Sequence, residues 1–401
     1  MTLSEELTWR GFTNQTTFSD ITELDRTKRI FYLGVDPSAK SMHIGNLAAV
    51  MLVKQLLAHG HQAIVLVGGA TGMIGDPKQD AERELKTLDE IAVNKAGIAA
   101  QYKTLLAGEP FELVDNYDWF KDIGYLSFLR DIGKHFSMTQ LLDREFVKAR
   151  IGDGNSGISY AEFSYSLIQG YDFLHLYREK GATLQIGGSD QWGNMLSGAQ
   201  MIKKLEDQEA HVWTVPLILD SNGKKFGKSE GNAIWLDPAL TSPFKFYQFW
   251  LNADDEGVGR YLKIFTAIQP ADYDELMTQF AADPGGRSAQ KYLAYEVTKL
   301  VHGVARAEQA QNVTAVLFGA TSVAALSSED IAMLAEEIPV AAPGSLISIL
   351  VTSGLATSNG EARRLITSGA VSVNGQKIVD DQEVGSPSLI KKGKNNFILI
   401  R

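Results

Sequence analysis

Cysteine is absent from the 401-residue chain. Disulfide bonds and zinc sites built from thiolates are therefore excluded. Such a composition suits a reducing compartment, because disulfides belong mainly to oxidising ones. Hydrophobic residues make up 44% of the chain, which is enough apolar material for a core. From this length and composition we expect two or three domains and a cytoplasmic location.

Long apolar runs are also missing. No stretch approaches the ~20 apolar residues that a membrane-spanning helix requires. The N-terminus carries Glu5 and Glu6 where a secretion signal would have its apolar core. We therefore expect neither export nor a membrane partner.

Positive charge is scarce over most of the chain. Lys+Arg number 38 against 48 Asp+Glu, a formal net charge of −10, which argues against a protein coated all over in nucleic acid. Residues 345–401 differ, with seven Lys+Arg against four acids, or +3, which leaves −13 for residues 1–344. Charge alone supports a polyanion-binding attachment and a small solvated domain about equally.

Short apolar segments alternate with helical patterns in the first part of the chain. Ile30–Val35 and Gln62–Val67 predict buried strands, and residues 47–59 predict a helix between them. Repeated strand–helix units imply a parallel sheet with right-handed crossovers. Ligands of such sheets bind beyond the carboxyl ends of the strands, where glycine-rich residues 68–72 fall.

Later segments predict other kinds of structure. Residues 78–150 have a mostly helical pattern, residues 184–186 and 212–219 predict strands, and the chain after Pro243 is helical to about Leu317. Residues 318–344 are rich in Ala, Ser and Gly, which is typical of a linker or a small bridging element.

The segment His43-Ile44-Gly45-Asn46 carries groups suited to a phosphate. It opens a predicted helix, whose N-terminus offers unpaired N–H groups and the positive end of a dipole. His43 can donate to a phosphate oxygen, and Gly45 allows adenine or ribose to approach the backbone. A surface histidine beside a helix cap explains the segment equally simply.

A second segment places Lys225, Lys228 and Ser229 around Gly227. Positioned cations can stabilise the charge that grows on a polyphosphate as a bond breaks, although a solvated basic turn has the same composition. The two segments occur in this order, about 180 residues apart. Together they resemble the HIGH and KMSKS motifs of class I aminoacyl-tRNA synthetases.

The region between these segments indicates the amino acid. Tyr165, Gln169 and Asp172 lie at i, i+4 and i+7, hence on one helical face that could ring a polar ligand. A partly exposed helix face is the other explanation. Residues 187–194 predict a polar, glycine-rich loop after a strand, as a small-molecule pocket needs. From about residue 28 to the C-terminus the chain resembles the bacterial tyrosyl-tRNA synthetase family.

This resemblance implies a role for each candidate site residue. The tyrosine site would have Tyr32 and Asp172 at the phenolic hydroxyl, Tyr165, Gln169 and Asp76 near the ammonium group, and Gln191 by the carboxylate. The ATP site would consist of Gly34, Asp36, His43, Gly45, Asn46, Gly187, Asp190, Gln191 and Lys228. The residues that act on the reacting phosphates would be Ser38, His43, Arg83, Lys225, Lys228 and Ser229.

Two positions depart from the family pattern. Asn46 stands where the motif often has a second histidine, and an amide keeps a neutral donor but cannot titrate. We expect only a modest change in ATP affinity or pH profile. Residues 76–83 are one residue shorter than the pattern, so we prefer Arg83 to Lys78 as the basic group.

The resemblance also implies the reaction. L-tyrosine would attack the α-phosphate of ATP, and the 3′-terminal ribose hydroxyl of tRNA(Tyr) would then attack the adenylate. Catalysis would consist of positioning and charge stabilisation. Mg²⁺ is expected with ATP, held mainly by the phosphates, and no protein-bound metal is expected.

The C-terminal residues have a pattern of their own. A predicted helix with Arg363 and Arg364 precedes a strand and an Asn374-Gly375 hairpin turn. This pattern resembles the S4 RNA-binding domain, and Lys391 and Lys392 suit phosphate contacts. The family resemblance also implies anticodon-arm binding by the helical region and a homodimer interface at residues 126–137.

The predicted fold is therefore α/β with three domains. A Rossmann-like parallel-sheet catalytic domain covers residues 1–240, with a helical insertion near 78–180. An all-helical anticodon-arm domain covers 241–320, a linker 321–344, and a small α+β S4-like RNA-binding domain 345–401.

Three alternatives remain at this point. An RNA-binding factor built on a retired synthetase would have damaged motifs, yet His43, Asp172, Lys225 and Lys228 are present. A nucleotidyl-transferring enzyme without tRNA would not need residues 345–401. A tryptophan-specific synthetase is disfavoured by Tyr32 and Asp172, which suit a hydroxyl group.

Overall fold

The computed structural model describes residues 1–77, 84–151, 157–219, 226, 228–229, 232–319 and 321–401, without the side chains of residues 140, 145, 146, 149, 228, 229 and 232. These residues pack into two units. The first combines Met1–Leu240 with Asp254–Gly285, and the second combines Thr241–Ala253 with Gly286–Arg401. The sequence instead predicts one helical domain over 241–320, and those domain boundaries stay a prediction.

A parallel sheet forms the centre of the first unit. Its strands are β1 (Ile30–Val35), β2 (Gln62–Val67), β3 (Phe111–Val114), β4 (Ala182–Gly188) and β5 (His211–Val215). Their order is β3-β2-β1-β4-β5. The central strands are buried apolar runs, as expected for a sheet covered by helices on both faces. Because the strand order reverses between β1 and β4, a crevice opens there beyond the carboxyl ends.

Helices surround this sheet and confirm two of the predictions, a helix after β1 and a helix over residues 160–179. The helices of the first unit are α1 (Leu3–Arg10), α2 (Glu23–Arg26), α3 (Ile44–Ala58), α4 (Gly69–Gly72), α5 (Leu88–Leu105), α6 (Tyr117–Phe120), α7 (Tyr125–Asp131), α8 (Met138–Leu142), α9 (Glu145–Arg150), α10 (Tyr160–Lys180), α11 (Trp192–Glu206), α13 (Val258–Phe265) and α14 (Pro270–Ala282). A short hairpin, β6 (Lys228–Ser229) with β7 (Asn232–Ala233), follows β5 along the chain.

Strand β3 is an addition to the mostly helical pattern predicted for residues 78–150, whose described part is otherwise largely helical. It pairs with β2 at the edge of the sheet, and none of its four residues is fully buried. An edge strand of this kind shows neither a buried apolar run nor a clear alternation, so periodicity does not reveal it.

The start of α10 is fixed by two interactions. Ser159 and Glu162 form a capping box, in which the Ser159 hydroxyl accepts from the Glu162 N–H. The Glu162 carboxylate also accepts two hydrogen bonds from Arg150, at 2.7 and 3.0 Å, with both side chains only 2% exposed. The helix ends at Gly181, which has a left-handed φ of 70°. Both ends of α10 are therefore fixed, and with them the positions of the residues along the helix.

A buried arginine joins the two stretches of chain that form the first unit. Arg10, on α1, is 1% exposed and donates to the backbone carbonyls of Lys263, Thr266 and Ile268 at 2.9 to 3.2 Å. Its Nε donates to Glu6 at 2.8 Å. Lysine and arginine side chains satisfy carbonyls at helix C-termini in this way, and here α13 is the helix concerned.

The second unit contains a helical part and a C-terminal part. The helical part consists of α12 (Pro243–Leu251), α15 (Ser288–His302), α16 (Val304–Phe318) and α17 (Ser328–Glu337). Aromatic residues of α12 such as Phe246 and Trp250 are fully buried, so they form core, as expected. Helix α17 lies within residues 321–344, for which the sequence predicts a linker.

The C-terminal part is a small sheet with two helices. Its elements are β8 (Val340–Ala341), β9 (Gly344–Ser345), α18 (Leu346–Thr352), α19 (Asn359–Thr367), β10 (Val371–Val373), β11 (Gln376–Lys377), β12 (Glu383–Val384), β13 (Ser388–Lys392) and β14 (Asn396–Ile400). The main sheet has the order β11-β10-β13-β14-β8. The predicted Asn374-Gly375 turn is confirmed: Val373 pairs with Gln376, and both turn residues have positive φ. Across the described residues, no helix combines the length and apolarity needed to cross a membrane.

Candidate active site

A cavity of about 510 Å³ lies in the first unit at the crevice between β1 and β4. Tyr32 on β1 and Gln185 on β4 are direct neighbours in the parallel register, so their side chains leave the sheet on the same face. Both line the cavity, together with residues of α10 and the N-terminus of α3. The sheet topology therefore places this cavity where a ligand is expected.

One end of the cavity is buried and polar. Asp172 is 2% exposed and accepts hydrogen bonds from Asn116 Nδ2 at 3.1 Å and from Trp119 Nε1 at 3.0 Å. Burial raises the pKa of Asp172 well above its ordinary value, and the two hydrogen bonds oppose that rise. Tyr32, which is 1% exposed, packs on Phe173 with ring centroids 5.2 Å apart. A carboxyl group and a phenol thus lie together at the buried end of the cavity.

Three buried atoms that belong to cavity-lining residues lack a hydrogen-bond partner among the residues that the structure describes. They are Tyr32 Oη, Gln169 Oε1 and Gln185 Oε1. An unsatisfied buried polar atom costs about 1–3 kcal/mol. Native proteins rarely leave several together unless something else pairs with them. The cavity is therefore shaped for a ligand with polar groups of its own.

An amide network lies beside the buried end. Gln191 Nε2 donates to Asp76 Oδ2 at 2.8 Å, and Asn194 Nδ2 donates to Asp76 Oδ1 at 3.3 Å and to Gln191 Oε1 at 3.2 Å. Asp76 thus accepts a hydrogen bond at each of its two carboxylate oxygens. Across the cavity Tyr165 donates to Asp36 at 2.7 Å. Burial and the neighbouring Asp36 raise the pKa of Tyr165 well above its ordinary value, so the phenol stays protonated.

The other end of the cavity is a helix N-terminus. His43 caps α3. Its ring Nδ1 accepts from the Gly45 N–H at 3.0 Å, and its backbone N–H donates to Asn46 Oδ1 at 3.1 Å. Because Nδ1 is an acceptor, neutral His43 carries its proton on Nε2 and donates from there. A Cβ at Gly45 would lie 2.7 Å from the His43 ring. Gly45 therefore leaves room for the imidazole, which is a different reason from the predicted close approach of adenine.

The segment after the lysine-rich stretch is joined to this helix N-terminus. His43 and Trp235 form an antiparallel bridge, Leu236 N donates to Met42 O at 2.9 Å, and Ile44 N donates to Ile234 O at 3.1 Å. Phe226 lines the cavity and stacks on Tyr261 with ring centroids 4.1 Å apart. The chain that follows the predicted lysine segment is thus a backbone neighbour of the predicted His43 segment.

Most of the predicted tyrosine and ATP residues line this one cavity. They are Tyr32, Gly34, Asp36, Ser38, His43, Gly45, Asn46, Asp76, Tyr165, Gln169, Asp172, Gly187, Asp190 and Gln191. Lys78, Arg83 and Lys225 lie outside the described residues, and of Lys228 and Ser229 only the backbone, in β6, is described.

Comparison with known proteins gives consistent matches over the whole chain. Residues 24–319 match the family described as tRNA synthetases class I (W and Y), and residues 330–401 match the tyrosine--tRNA ligase SYY-like C-terminal domain. The tyrosine--tRNA ligase 2 of Bacillus cereus is 43% identical and covers 100% of this chain and 99% of its own length. The tyrosine--tRNA ligase of Streptococcus gordonii is 42% identical, with 100% of each chain covered.

The chain belongs to the tyrosine--tRNA ligase family of class I tRNA synthetases. A solved member, the C-terminally truncated mitochondrial tyrosyl-tRNA synthetase of Aspergillus nidulans, superposes with a TM-score of 0.70 at 32% identity. The superposition covers 77% of the present chain and 92% of the Aspergillus nidulans chain. The Rossmann-like fold predicted from the sequence is therefore confirmed, and so is the predicted family.

Sequence reasoning missed several residues that shape the site of this family member. Gln185 is a single amide in a buried apolar strand, and that misfit was a usable signal because buried strand positions are rarely polar. Asn116 and Trp119 gave no signal, since they come from a region without clear periodicity. The predicted loop over residues 187–194 was also wrong: β4 extends to Gly188 and α11 begins at Trp192, with a 3₁₀ turn between them.

The predicted RNA-binding residues lie in the second unit. Arg363 and Arg364 are both exposed on α19. Lys391 and Lys392 end β13, where Lys392 Nζ donates to Leu355 O at 2.5 Å and Lys391 Nζ lies 5.1 Å from the Phe397 ring centroid. The arginines are therefore open to solvent, whereas both lysines also have contacts within the fold.

Proposed function

We propose that this protein is a tyrosine--tRNA ligase that activates L-tyrosine with ATP and transfers it to tRNA(Tyr). The observation that carries the proposal is the buried polar end of the cavity, where Asp172 and the Tyr32 hydroxyl, which has no hydrogen-bond partner among the described residues, face one ligand-sized space. A phenolic hydroxyl can donate to Asp172 and accept from Tyr32 at the same time.

The same two groups support tyrosine over phenylalanine and tryptophan. Phenylalanine would leave the Tyr32 hydroxyl without a partner, at about 1–3 kcal/mol, and would offer Asp172 no donor beyond those of Asn116 and Trp119. Tryptophan carries an N–H donor but no acceptor on its ring system, so it could satisfy Asp172 and not the Tyr32 donor. The hydroxyl group is thus the feature that the pocket favours.

The amino acid backbone would bind beside the amide network. Gln169 Oε1 is an acceptor without a described partner, and Asp76 supplies carboxylate oxygens, so both suit an ammonium group. Tyr165 would be the third side chain near the ammonium group, and Gln191 would contact the carboxylate. The carboxylate would then point toward the helix N-terminus, where the α-phosphate of ATP would lie.

ATP would occupy the exposed end of the cavity. The N-terminus of α3 attracts phosphate through its N–H groups and dipole, and His43 Nε2–H would donate to a phosphate oxygen, with Ser38 beside the outer phosphates. Gly34, Asp36, Gly187 and Asp190 would hold the ribose or the adenylate. Mg²⁺ would come with ATP, held mainly by its phosphates.

The first step would be an in-line displacement at the α-phosphate. A tyrosine carboxylate oxygen forms a bond to the α-phosphorus, the bond to the β-phosphate bridging oxygen breaks, and pyrophosphate leaves. In the second step the tRNA ribose hydroxyl attacks the tyrosyl carbonyl carbon and AMP leaves. The residues position the reactants and stabilise the growing charge, and we assign the latter role to His43, Arg83, Lys225, Lys228 and Ser229.

The proposal is tested by amino-acid-dependent exchange of pyrophosphate into ATP. We expect exchange with L-tyrosine and none above background with L-phenylalanine or L-tryptophan. Clear exchange with another amino acid and none with tyrosine would overturn the assignment.

We also propose that residues 345–401 bind tRNA through the exposed Arg363 and Arg364. The double variant Arg363→Ala/Arg364→Ala should leave tyrosine-dependent exchange unchanged and lower the rate of tRNA charging about tenfold at moderate salt. Arg26→Ala, an exposed arginine of the first unit, serves as the control. Charging by the double variant at the wild-type rate would end this part of the proposal.

A homodimer formed through residues 126–137 is the third part of the proposal. Leu126 and Tyr125 on α7 are 78% and 63% exposed, and Met138 at the start of α8 is 58% exposed. Large apolar side chains exposed so near one another favour a protein interface. Sedimentation of the wild type should give twice the mass of one chain, and Leu126→Asp should shift it toward one. We place this activity in the cytoplasm.

A further inference from the structure

Arg144 occupies an unusual position between α8 and α9. Its guanidinium donates to Asn194 Oδ1 at 2.8 Å, Gly193 O at 3.1 Å and Ser197 Oγ at 2.5 Å, and also to Ser166 Oγ. All four acceptors are neutral. Arg144 is also absent from the ion pairs found in the described part of the chain, and it does not line the cavity of the candidate active site.

Arg144 determines which way the Asn194 amide points. A guanidinium only donates, so the atom of Asn194 that faces it has to be the carbonyl oxygen. Ser166 Oγ donates to that oxygen as well, at 2.7 Å. The amide nitrogen of Asn194 is then turned toward Asp76 and Gln191, at 3.3 and 3.2 Å. In the opposite orientation two N–H groups would face Arg144, which is strongly unfavourable.

We propose that Arg144 is a positioning residue for tyrosine activation, acting through Asn194 on Asp76 and Gln191. This inference rests on the proposed function, in which those two side chains bind the ammonium and carboxylate groups of the substrate. Arg144 fixes the orientation of Asn194, Asn194 fixes the two side chains, and the substrate carboxylate is thereby aimed at the α-phosphate. Arg144 itself does not touch the substrate.

The burial of Arg144 strengthens this role. Burial lowers its pKa to about 10, which still leaves the group charged at neutral pH. Hydrogen bonds from a charged donor are about twice as strong as those between neutral groups, and linked hydrogen bonds polarise one another. The charge therefore holds the Asn194 amide more firmly than a neutral donor would.

Steady-state exchange kinetics without tRNA test the proposal, because no tRNA contact can then influence the result. In Arg144→Ala we expect the KM for tyrosine to rise about tenfold, with the KM for ATP within about twofold of the wild type. The KM for tyrosine of Arg144→Lys should lie between those of the wild type and Arg144→Ala. An ammonium can donate to Asn194 Oδ1 but cannot span all four acceptors. Arg26→Ala, at an exposed arginine of the first unit outside every proposed site, is the matched control and should be unchanged.

The coupling to Asn194 is tested with the double variant. If Arg144 acts through Asn194, Arg144→Ala/Asn194→Ala should raise the KM for tyrosine no further than Asn194→Ala alone. Thermal unfolding is measured for every variant. A lower Tm for Arg144→Ala with an unchanged KM for tyrosine would show a structural role only and would overturn the inference. Additive effects in the double variant would overturn it too.

The outcome for the wild type separates this inference from the proposed function. Wild-type protein that exchanges with tyrosine, alongside an Arg144→Ala variant with the same KM, rejects the role of Arg144 and leaves the function standing. Wild-type protein that exchanges with another amino acid rejects the function, and the inference with it.

Discussion

The tyrosine end of the cavity consists of buried side chains on regular elements, whereas the ATP end consists of a helix N-terminus and more exposed positions. Tyr32 and Asp172 are almost completely buried on β1 and α10. Ser38, Gly45 and Asp190 at the other end are exposed. The tyrosine end is thus built from buried side chains, and the ATP end from backbone groups and exposed residues.

The difference follows from what each end has to distinguish. An amino acid side chain is recognised by which buried groups it leaves unpaired, so its end needs rigid, desolvated partners. A triphosphate is recognised by charge, which backbone N–H groups and cations provide at a solvent-exposed site. Substitutions at the tyrosine end should therefore alter KM for tyrosine, and those at the ATP end should alter kcat.

The largest expected effect comes from removing the imidazole at the ATP end. In His43→Asn the amide can still cap α3, but the Nε2–H donor is lost. We expect kcat for tyrosine-dependent exchange to fall about 10²-fold. The KM for tyrosine should remain within about twofold of the wild type. An equally large rise in the KM for tyrosine would show that the two ends act as one and would break the comparison.

A smaller effect is expected from removing one hydroxyl at the tyrosine end. Tyr32→Phe deletes the donor that would pair with the substrate hydroxyl, so the KM for tyrosine should rise about tenfold at most. Discrimination against phenylalanine should narrow, because one buried group fewer is left unpaired. Tyr247→Phe, at a buried tyrosine of α12, is the control. Unchanged discrimination would remove Tyr32 from the specificity site.

The pH dependence of stability gives a measurement that does not depend on catalysis. Burial raises the pKa of Asp172 above its ordinary 3.8 in the folded protein. The resulting stabilisation is complete below that value and is lost as the pH rises through the folded-state pKa. Relative to Asp172→Asn, the ligand-free wild type should therefore lose Tm as the pH rises above 3.8. A Tm difference that stays constant with pH would contradict the raised pKa.

The smallest effect is expected at the position that departs from the family motif. Asn46 Oδ1 caps the His43 N–H, and its Nδ2 can still donate to ATP. Asn46→His would weaken the capping box, so we expect a Tm lower by a few degrees at most and a KM for ATP within about threefold. A tenfold gain in kcat would mean that the second histidine has a role that the asparagine does not fill.

The sequence predicted the site best where regular periodicity carried it. Tyr165, Gln169 and Asp172 were expected on one helical face, and all three line the cavity. The strands β1 and β2 were recognisable as apolar runs between turns. The hairpin at Asn374-Gly375 was recognisable because its turn residues tolerate positive φ.

The parts that failed depend on tertiary contacts. Asn116 and Trp119 reach Asp172 across more than 50 residues of chain, and no local pattern encodes that distance. The hydrogen bonds that link Arg144 to Asp76 through Asn194 join three separate segments of the chain. Strand β3 is held by its pairing with β2 rather than by its own pattern. The division into two units depends on tertiary contacts as well, because residues 254–285 pack with the first unit although the second unit begins at Thr241, and the predicted domain boundaries stay a prediction.

The buried contact of Arg10 has a consequence for how the chain is made. Residues of the first helix meet carbonyls at positions 263–268, so this contact closes a loop of about 250 residues and is among the last that the ribosome allows. The nascent first unit can form much of its sheet once Val215 has emerged, but Arg10 can then donate to Glu6 and not yet to the carbonyls of Lys263, Thr266 and Ile268. Synthesis past Ile268 completes the unit. Until then the contact between the N-terminal helix and the end of α13 is missing, and a chain that stopped at Leu240 would never form it.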